Sequence, residues 1–286
     1  MNRRIVGIVG ASMLLTTLIA VVAVVADAHD LFLRPRDFIV RAGSEVRVRV
    51  LNGTFTSSES SVARDRLRDL TVVGPTGTSH PDRSSWTDDA KESGWRVATS
   101  APGTYVLGAS LDPKTIRLTG TQFNGYLREE GLHDVVSARK SARQLGNPAH
   151  ERYAKHVKAL VRAQGVSSAA SVGADTAYRV LLGYPAELVP LDDPYVLPAG
   201  GMLRLRAYAE GRPIANQVVQ AGGRTTSGSR IRMREVRTDA DGMVRFRLDA
   251  RGTWYVKFIY MRDIPASAGD SVNYESKWAT LTFARP

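Results

Sequence analysis

Apolar and polar residues alternate along several short stretches in the first third of the chain. Val46, Val48 and Val50 are separated by charged residues, and this period of two is typical of a strand with one buried face. Asn52-Gly53 follows, a strong turn pair. Similar short stretches, separated by glycine and proline turns, lie at 38–40, 70–73, 95–98 and 104–107. This pattern predicts an N-terminal β-sandwich over residues 29–125.

The last third of the chain has the same character. Apolar alternation or aromatic runs occur at 203–208, 244–248, 254–260 and 278–283. A hairpin turn is predicted at Thr238-Asp239-Ala240-Asp241-Gly242, because aspartate and glycine favour tight turns between strands. Residues 178–286 therefore predict a second β-sandwich of immunoglobulin-like type.

The middle of the chain, residues 126–177, predicts a helical segment and a linker. Helix formers dominate 127–130, 135–145 and 151–161, and Pro148 separates the last two pieces because proline restricts the residue before it. In the last piece Tyr153, Val157 and Leu160 fall on one helix face. The predicted fold is thus mainly β, with two immunoglobulin-like β-sandwich domains joined by a helical segment.

The first 28 residues predict a secretory signal peptide. Arg3 and Arg4 precede an apolar run over 5–25, and Ala26-Asp27-Ala28 is an A-x-A cleavage site. Cleavage there would export the protein to the periplasm and leave His29 at the new amino terminus. The alternative is an uncleaved membrane anchor, since the apolar run is long enough to cross a bilayer.

Composition narrows the chemistry that the chain can perform. The 286 residues include no cysteine, so a metal site would use imidazole, carboxylate, thioether, phenol or amine donors. The net charge of +11 comes largely from arginines on strand-like alternations, which are typical of solvated strand faces. No nucleic-acid motif is present, and we expect no nucleic-acid partner. A second interpretation is that the charge attracts an anionic envelope.

Histidines supply the candidate metal ligands. An amino-terminal His29 would chelate a metal through its amine and its imidazole Nδ1. His156 lies three residues after Tyr153, and His133 three after Glu130, so each pair would share a face of a helix. The competing interpretation is that His133 and His156 are ordinary surface residues of solvated helices. His80 and His150 are expected at the surface.

Catalytic motifs are absent from the sequence. There is no Gly-x-Ser-x-Gly elbow, and Asp239 and Asp241 lack the later glutamate that a calcium loop needs. A terminal histidine chelate is also found in copper enzymes that attack polysaccharides. Two sandwiches separated by helices are not the usual shape of those enzymes, so we expect no enzymatic activity.

Several blocks of the chain resemble a family of exported bacterial proteins. The blocks start at His29-Asp30-Leu31-Phe32-Leu33-Arg34-Pro35, at Leu182-Gly183-Tyr184-Pro185-Ala186-Glu187, at Thr238 and at Tyr274-Glu275-Ser276-Lys277-Trp278. The family is a domain of unknown function often described as associated with nickel uptake. The resemblance implies a periplasmic, β-rich protein linked to nickel or cobalt handling, and it supplies no catalytic residue.

The sequence therefore predicts a periplasmic protein that binds nickel or cobalt, or next copper, as an accessory to metal uptake or homeostasis. The predicted ligands are His29, His156 and His133, and the predicted partners are the metal ion and a membrane metal transporter. The alternative is a structural or protein-interaction module of the envelope that binds no metal.

Overall fold

A computed structural model of the protein describes residues 29–89, 91–165, 175–265 and 271–286. The predicted signal peptide and its cleavage site at Ala28 lie outside the described residues. Within the described ranges, neither α-helix has the length and apolar character needed to cross a bilayer.

Strands make up most of the described chain, which confirms the prediction of a mainly β protein. In chain order they are β1 Asp30–Pro35, β2 Ile39–Arg41, β3 Glu45–Gly53, β4 Ser58–Ser60, β5 Leu67–Gly74, β6 Gly77–Ser79, β7 Trp86–Thr87, β8 Ser93–Ala98, β9 Gly103–Leu111, β10 Lys114–Leu118, β11 Ala149–Gln164, β12 Ala186–Pro190, β13 Met202–Ala209, β14 Arg212–Pro213, β15 Val218–Thr225, β16 Arg230–Arg237, β17 Met243–Arg247, β18 Gly252–Asp263 and β19 Tyr274–Arg285. The helices are α1 Gly120–Glu129 and α2 His133–Ser141, with 3₁₀ turns at Arg64–Arg66, Arg83–Ser85 and Ala177–Arg179.

The described strands form three sheets. A five-stranded sheet has the order β1-β3-β8-β7, with β4 also on β3. A ten-stranded sheet has the order β16-β15-β18-β19-β11-β9-β5-β6, with β2 and β10 also paired to β11. A four-stranded sheet has the order β12-β13-β14, with β17 on β13. At the centre of the ten-stranded sheet, β11 runs parallel to β19 and antiparallel to β9.

The ten-stranded sheet is covered on both faces. Its front face carries Lys155, Val157 and Trp278, and its back face carries His156 and Leu160, because successive side chains on a strand point to opposite sides. The five-stranded sheet and the two helices cover the front face through two apolar cores. The four-stranded sheet covers the back face through a third core.

Local sequence explains several of these elements. The alternation in β3 is confirmed, since Val46, Val48 and Val50 are buried and the intervening charged residues are exposed. Helix α1 begins at a capping box in which the Thr119 hydroxyl accepts the Gln122 N–H and the Gln122 side chain accepts the Thr119 N–H.

The prediction of a helix over 151–161 is wrong. This stretch belongs to β11, a 16-residue strand. Helices do occur in the predicted helical segment, but α1 begins before it and α2 ends at Ser141. A strand that is buried on both faces shows no alternation, so its sequence does not distinguish it from a helix.

Two separate immunoglobulin-like sandwiches are not confirmed. The ten-stranded sheet takes β5 and β9 from the predicted N-terminal sandwich, and β15, β18 and β19 from the predicted C-terminal one. The two smaller sheets pack on opposite faces of this shared sheet. The strand that joins the two halves is β11, which was predicted to be the helical connection.

Candidate functional site

His29 lies at the edge of the front face, where the described chain enters β1. Its Nε2 is 2.9 Å from a carboxylate oxygen of Glu59 on β4, and its side chain is 28% exposed. The carbonyl oxygen of His29 accepts a hydrogen bond of 2.6 Å from Nζ of Lys155 on β11. Both the ring and the backbone of His29 are therefore held in position.

Asp30, the next residue, takes part in a buried charge cluster. Lys257 on β18 donates to Asp30 Oδ2 at 2.5 Å and to Glu130 Oε2 at 2.7 Å. Glu130 is the residue that caps the end of α1. The second oxygen of Asp30 is buried and has no hydrogen-bond partner among the described residues. We call Asp30, Glu130 and Lys257 the Lys257 cluster.

Burial and charge shift the titration of the Lys257 cluster. Burial alone would lower the pKa of Lys257, but the charges and hydrogen bonds of Asp30 and Glu130 raise it above its ordinary value. Burial, with the charge of Asp30, raises the pKa of Glu130 to about 7 in spite of Lys257. One positive charge thus faces two carboxyl groups, and it cannot balance both of them when both are ionised.

A second buried acid, Glu151, lies on the same face. Its Oε1 accepts hydrogen bonds from the Tyr126 hydroxyl at 3.2 Å and from the Ser276 hydroxyl. Trp278 Nε1 donates to Ser276 Oγ at 3.0 Å. Burial raises the pKa of Glu151 to about 7, against the hydrogen bonds that favour its charged form.

Strand register brings these groups together. In β11, Glu151 and Lys155 are four residues apart and therefore share the front face. Lys155 is the register partner of Trp278 on β19, and Lys257 is the partner of Thr280 on the same strand. The Nζ atom of Lys155 also donates to the Asn52 side chain at 3.1 Å. The resulting site combines an accessible imidazole with buried lysines and acids beneath it.

His156, a predicted ligand, lies on the opposite side of the sheet. It is 2% exposed, and its Nδ1 is 2.9 Å from the Ser110 hydroxyl. Burial, with the charges of Arg68 and Lys277, lowers the pKa of His156 to about 3. The shared helix face with Tyr153 does not exist, since residues three apart in a strand point to opposite faces. The ten-stranded sheet therefore separates His156 from His29.

His133 is the first residue of α2, and it is exposed. The predicted pairing with Glu130 on one helix is wrong, because Glu130 caps α1 and binds Lys257. His80 is exposed, as predicted, with Nδ1 3.0 Å from Asp69. His150 lies in β11, with Nδ1 2.9 Å from the Ser271 hydroxyl.

The three predicted ligand histidines do not form one site. Over the ranges that the structure describes, no three His, Cys, Asp or Glu side chains are grouped so that they could hold a metal ion. His29 and Glu59 are the groups at this site that remain accessible to one. The sheet keeps His156 away from His29, and the role of His133 as a ligand stays a prediction.

Sequence reasoning missed the buried acids and lysines of the front face. One signal was present, since Lys257 interrupts an otherwise apolar and aromatic run at 254–260. A lysine at such a position must be buried or must end the strand, and a buried lysine needs a partner. Its partners Asp30 and Glu130 are remote in sequence, so the pattern did not name them.

Similarity to solved structures is weak. A DUF4785 family protein from Legionella pneumophila is 9% identical, with a TM-score of 0.23 over 78% of this chain and 49% of that one. Trypsin-activated alpha-2-macroglobulin from Escherichia coli is 10% identical, with a TM-score of 0.20 over 91% of this chain and 16% of that one. A tetra-tandem repeat of a large adhesion protein is 11% identical, with a TM-score of 0.22 over 89% and 49%.

The chain thus spans about half or less of each of these structures, and similarities at such TM-scores carry no conclusion for it. Comparison with the curated proteins gives no match. One family model matches residues 26–262, which is most of the chain and includes the His29 site, the Lys257 cluster and β11. The description of this family names no metal, so the link to nickel stays a prediction. The chain belongs to this family, the domain of unknown function DUF4198.

Proposed function

We propose that the protein is a periplasmic metal-binding protein that holds nickel or cobalt, or next copper, through His29. It would bind and hand over the ion as an accessory to metal uptake or homeostasis, without making or breaking covalent bonds. A membrane metal transporter would be its partner. The proposal rests chiefly on one observation, the contact between His29 Nε2 and the Glu59 carboxylate.

This contact favours chelation through the other ring nitrogen. The ion-pair contact places a carboxylate beside Nε2, and a carboxylate next to one nitrogen of a metal-binding imidazole orients the ring and makes the second nitrogen a better ligand. Nδ1 of His29 takes no part in that contact. Nδ1 is also the nitrogen that can close a chelate ring with the amine of the same residue.

The donor set suits the proposed metals. Cleavage after Ala28 would give His29 a free amine, so amine, imidazole and nearby carboxylate would offer nitrogen and oxygen donors to a tetragonal ion. The carbonyl of His29 is already fixed by Lys155. A fixed backbone lowers the entropy that the chelate loses on binding.

The test is a calorimetric titration of Ni(II), Co(II) and Cu(II) into protein that starts at His29. A matched control is the same protein with the amine of His29 acetylated, which keeps the imidazole but removes the amine as a donor. We expect this control and His29→Ala to bind at least about tenfold more weakly. Glu59→Gln should weaken binding by about 10- to 100-fold, the usual effect of losing the carboxylate that orients a metal-binding histidine.

His156→Gln serves as the negative control, because His156 lies on the back face. Equal binding by the His29→Ala variant and the unaltered chain would contradict the proposal. Mass spectrometry of the exported protein would show whether cleavage occurs after Ala28. Absence of binding by every form would leave the alternative, an envelope interaction module without metal.

A further inference from the structure

A cavity of about 590 Å³ opens beside the end of β1. The last residues of β15 and β19 and the first residues of β18 also line it. Asp30 and Arg34 lie at opposite ends of β1, so this cavity is distinct from the His29 site. The lining residues that matter here are Arg34, Arg36, Asp37, Arg224, Thr226 and Arg285. Its size is in the range of pockets that bind small molecules.

The cavity concentrates positive charge that its single aspartate offsets only in part. Four of its lining residues are arginines and one is an aspartate. Several arginines outside the cavity are paired, for example Arg204 with Asp192 at 2.6 Å and Arg237 with Asp134 at 2.7 Å. Within the described part of the chain, no ion pair neutralises any of the four cavity arginines.

Most hydrogen-bond donors of these arginines are also unused. Arg34 donates once, to the Phe55 carbonyl at 3.1 Å, and lies 5.0 Å from the centre of the Phe55 ring. Arg224 donates once, to the Gly228 carbonyl at 3.3 Å. A guanidinium carries five N–H donors. The two side chains are therefore positioned by the protein while most of their donors remain available.

Arg285 strengthens the case for a built site. It lines the cavity, is 4% exposed, and its Nε is buried with no hydrogen-bond partner among the described residues. Leaving a charged donor buried without a partner is costly. A bound anion beside it would lower that cost.

The arginines also repel one another. Burial lowers the pKa of Arg34, and the charges of Arg49 and Arg224 lower it further, while the charge of Glu92 opposes the shift. Arg49 is the register partner of Arg34 on β3, and it is itself paired with Glu92 at 2.5 Å. An anion between Arg34 and Arg224 would convert this repulsion into attraction.

We propose that this cavity binds a phosphate-bearing ligand, with Arg34 and Arg224 as its main contacts and Arg36 at the rim. The planar guanidinium fork matches the oxygens of a phosphate bidentately, and a dianionic group neutralises two arginines at once. The volume exceeds what one phosphate fills. The ligand is therefore a phosphorylated small molecule or the headgroup of an anionic phospholipid.

Calorimetry with the full chain would distinguish the two sources. The soluble probes are inorganic phosphate and glycerol 3-phosphate, and the membrane probe is a vesicle of phosphatidylglycerol, with phosphatidylcholine vesicles as the neutral comparison. We expect Arg224→Gln to weaken binding of the recognised probe at least about tenfold, as loss of a hydrogen bond to a charged group does. Arg245→Gln, which removes the same charge from an exposed position on β17 outside the cavity, should change binding less than twofold.

Arg36→Gln is a second variant at an exposed position, and it keeps the test valid if Arg224→Gln does not fold. Specific binding of a soluble probe identifies a phosphorylated small molecule, and binding confined to the anionic vesicles identifies a lipid headgroup. Two results would overturn the proposal. One is no binding of any probe, and the other is equal weakening by the cavity variants and Arg245→Gln, which would indicate attraction to the net charge alone.

Discussion

The two faces of the ten-stranded sheet bury lysines in opposite ways. On the back face Lys158 and Glu187 form a closed pair, with Nζ and Oε2 3.0 Å apart and both side chains almost fully buried. On the front face Lys257 is shared between Asp30 and Glu130, whose side chains remain 16% and 14% exposed. The back face therefore pairs one lysine with one acid, whereas the front face shares one lysine between two acids.

The back pair is satisfied by its surroundings. The oxygens of Glu187 also accept backbone N–H groups of Leu182 at 2.9 Å and Tyr184 at 2.6 Å. Burial lowers the pKa of Lys158, and Glu187 opposes that shift. Glu187 thus fixes the chain before β12, which packs the four-stranded sheet onto the back face. A closed pair of this kind has a structural role.

The front cluster has an excess of carboxyl groups instead. Asp30 Oδ1 has no described partner, and Glu130 titrates near neutral pH. Asp30 directly follows His29, the residue that the sequence singled out. The comparison shows that buried charges in this fold are paired one to one where two sheets pack together. They are incompletely balanced where the chain could bind a ligand.

Replacing one buried glutamate by glutamine on each face should give the largest difference in the free energy of unfolding. Glu187→Gln leaves Lys158 buried without a counter-charge, and we expect it to lower the free energy of unfolding by about 3–5 kcal/mol. Glu130→Gln leaves Lys257 paired with Asp30 and removes a repulsive charge, so a loss of about 1 kcal/mol or less is expected. Denaturant unfolding at pH 7.5 measures both values.

The double replacement Lys158→Met with Glu187→Leu is the control for the back pair. It removes both charges and should recover most of the stability that Glu187→Gln loses. Equal losses for Glu187→Gln and Glu130→Gln would show that the two clusters do not differ as described.

The pH dependence of stability should come from the front face near neutrality. The folded-state pKa of Glu151 is about 7, above its ordinary value of 4.5, so the unfolded chain releases this proton first as the pH rises. The free energy of unfolding therefore falls between about pH 4.5 and 7, by about 3 kcal/mol for this group. Glu130 contributes in the same direction.

Glu151→Gln should remove the contribution of Glu151 while its carbonyl still accepts the Ser276 hydroxyl. The variant should thus be more stable than the unaltered protein at pH 8 and similar at pH 5, as measured by denaturant unfolding at each pH. An unchanged difference between pH 5 and pH 8 would contradict the assignment.

The buried histidine of the back face should act in the opposite direction to Glu151 as the pH falls. The folded-state pKa of His156 is about 3, below its ordinary value of 6.5. The unfolded chain therefore takes up this proton first as the pH falls, and the contribution of His156 to stability is lost from about pH 6.5 downwards, against the opposite contributions of Glu151 and Glu130. His156→Gln should reduce that slope by about 1 kcal/mol per pH unit.

His133→Gln is the matched control for this slope, because His133 is exposed. Thermal unfolding followed at several pH values between 4 and 6.5 would compare the two variants. Identical profiles for both would show that burial of His156 does not control acid stability.

Much of the fold could be predicted from the sequence where a strand has one exposed face. The valines of β3 alternate because the other side of that strand faces solvent. β11 could not be predicted, because both of its faces are covered and its Ala, Lys, Leu and Arg residues also favour helices. Pairing with β9 and β19 overrides this local preference, and a single sequence does not display such pairing.

The candidate site was predictable only at its first residue. The sequence indicated His29 through its position after the A-x-A site, and the structure places it beside Glu59. Asp30, Glu130 and Lys257 meet because β1, α1 and β18 are brought together by the fold. His156 was misplaced because the wrong period was assigned to β11, which put it on the wrong side of the protein.

The position of β19 has a consequence for how the chain reaches this structure. β19 follows every other described strand along the chain, yet it lies between β11 and β18 in the middle of the sheet. Its Thr280 and Thr282 hydroxyls also donate to the carbonyls of Leu31 and Leu33 in β1. Pairing between such distant segments slows folding. During synthesis the two halves of the sheet therefore stay unjoined until the twelve residues of β19 are made.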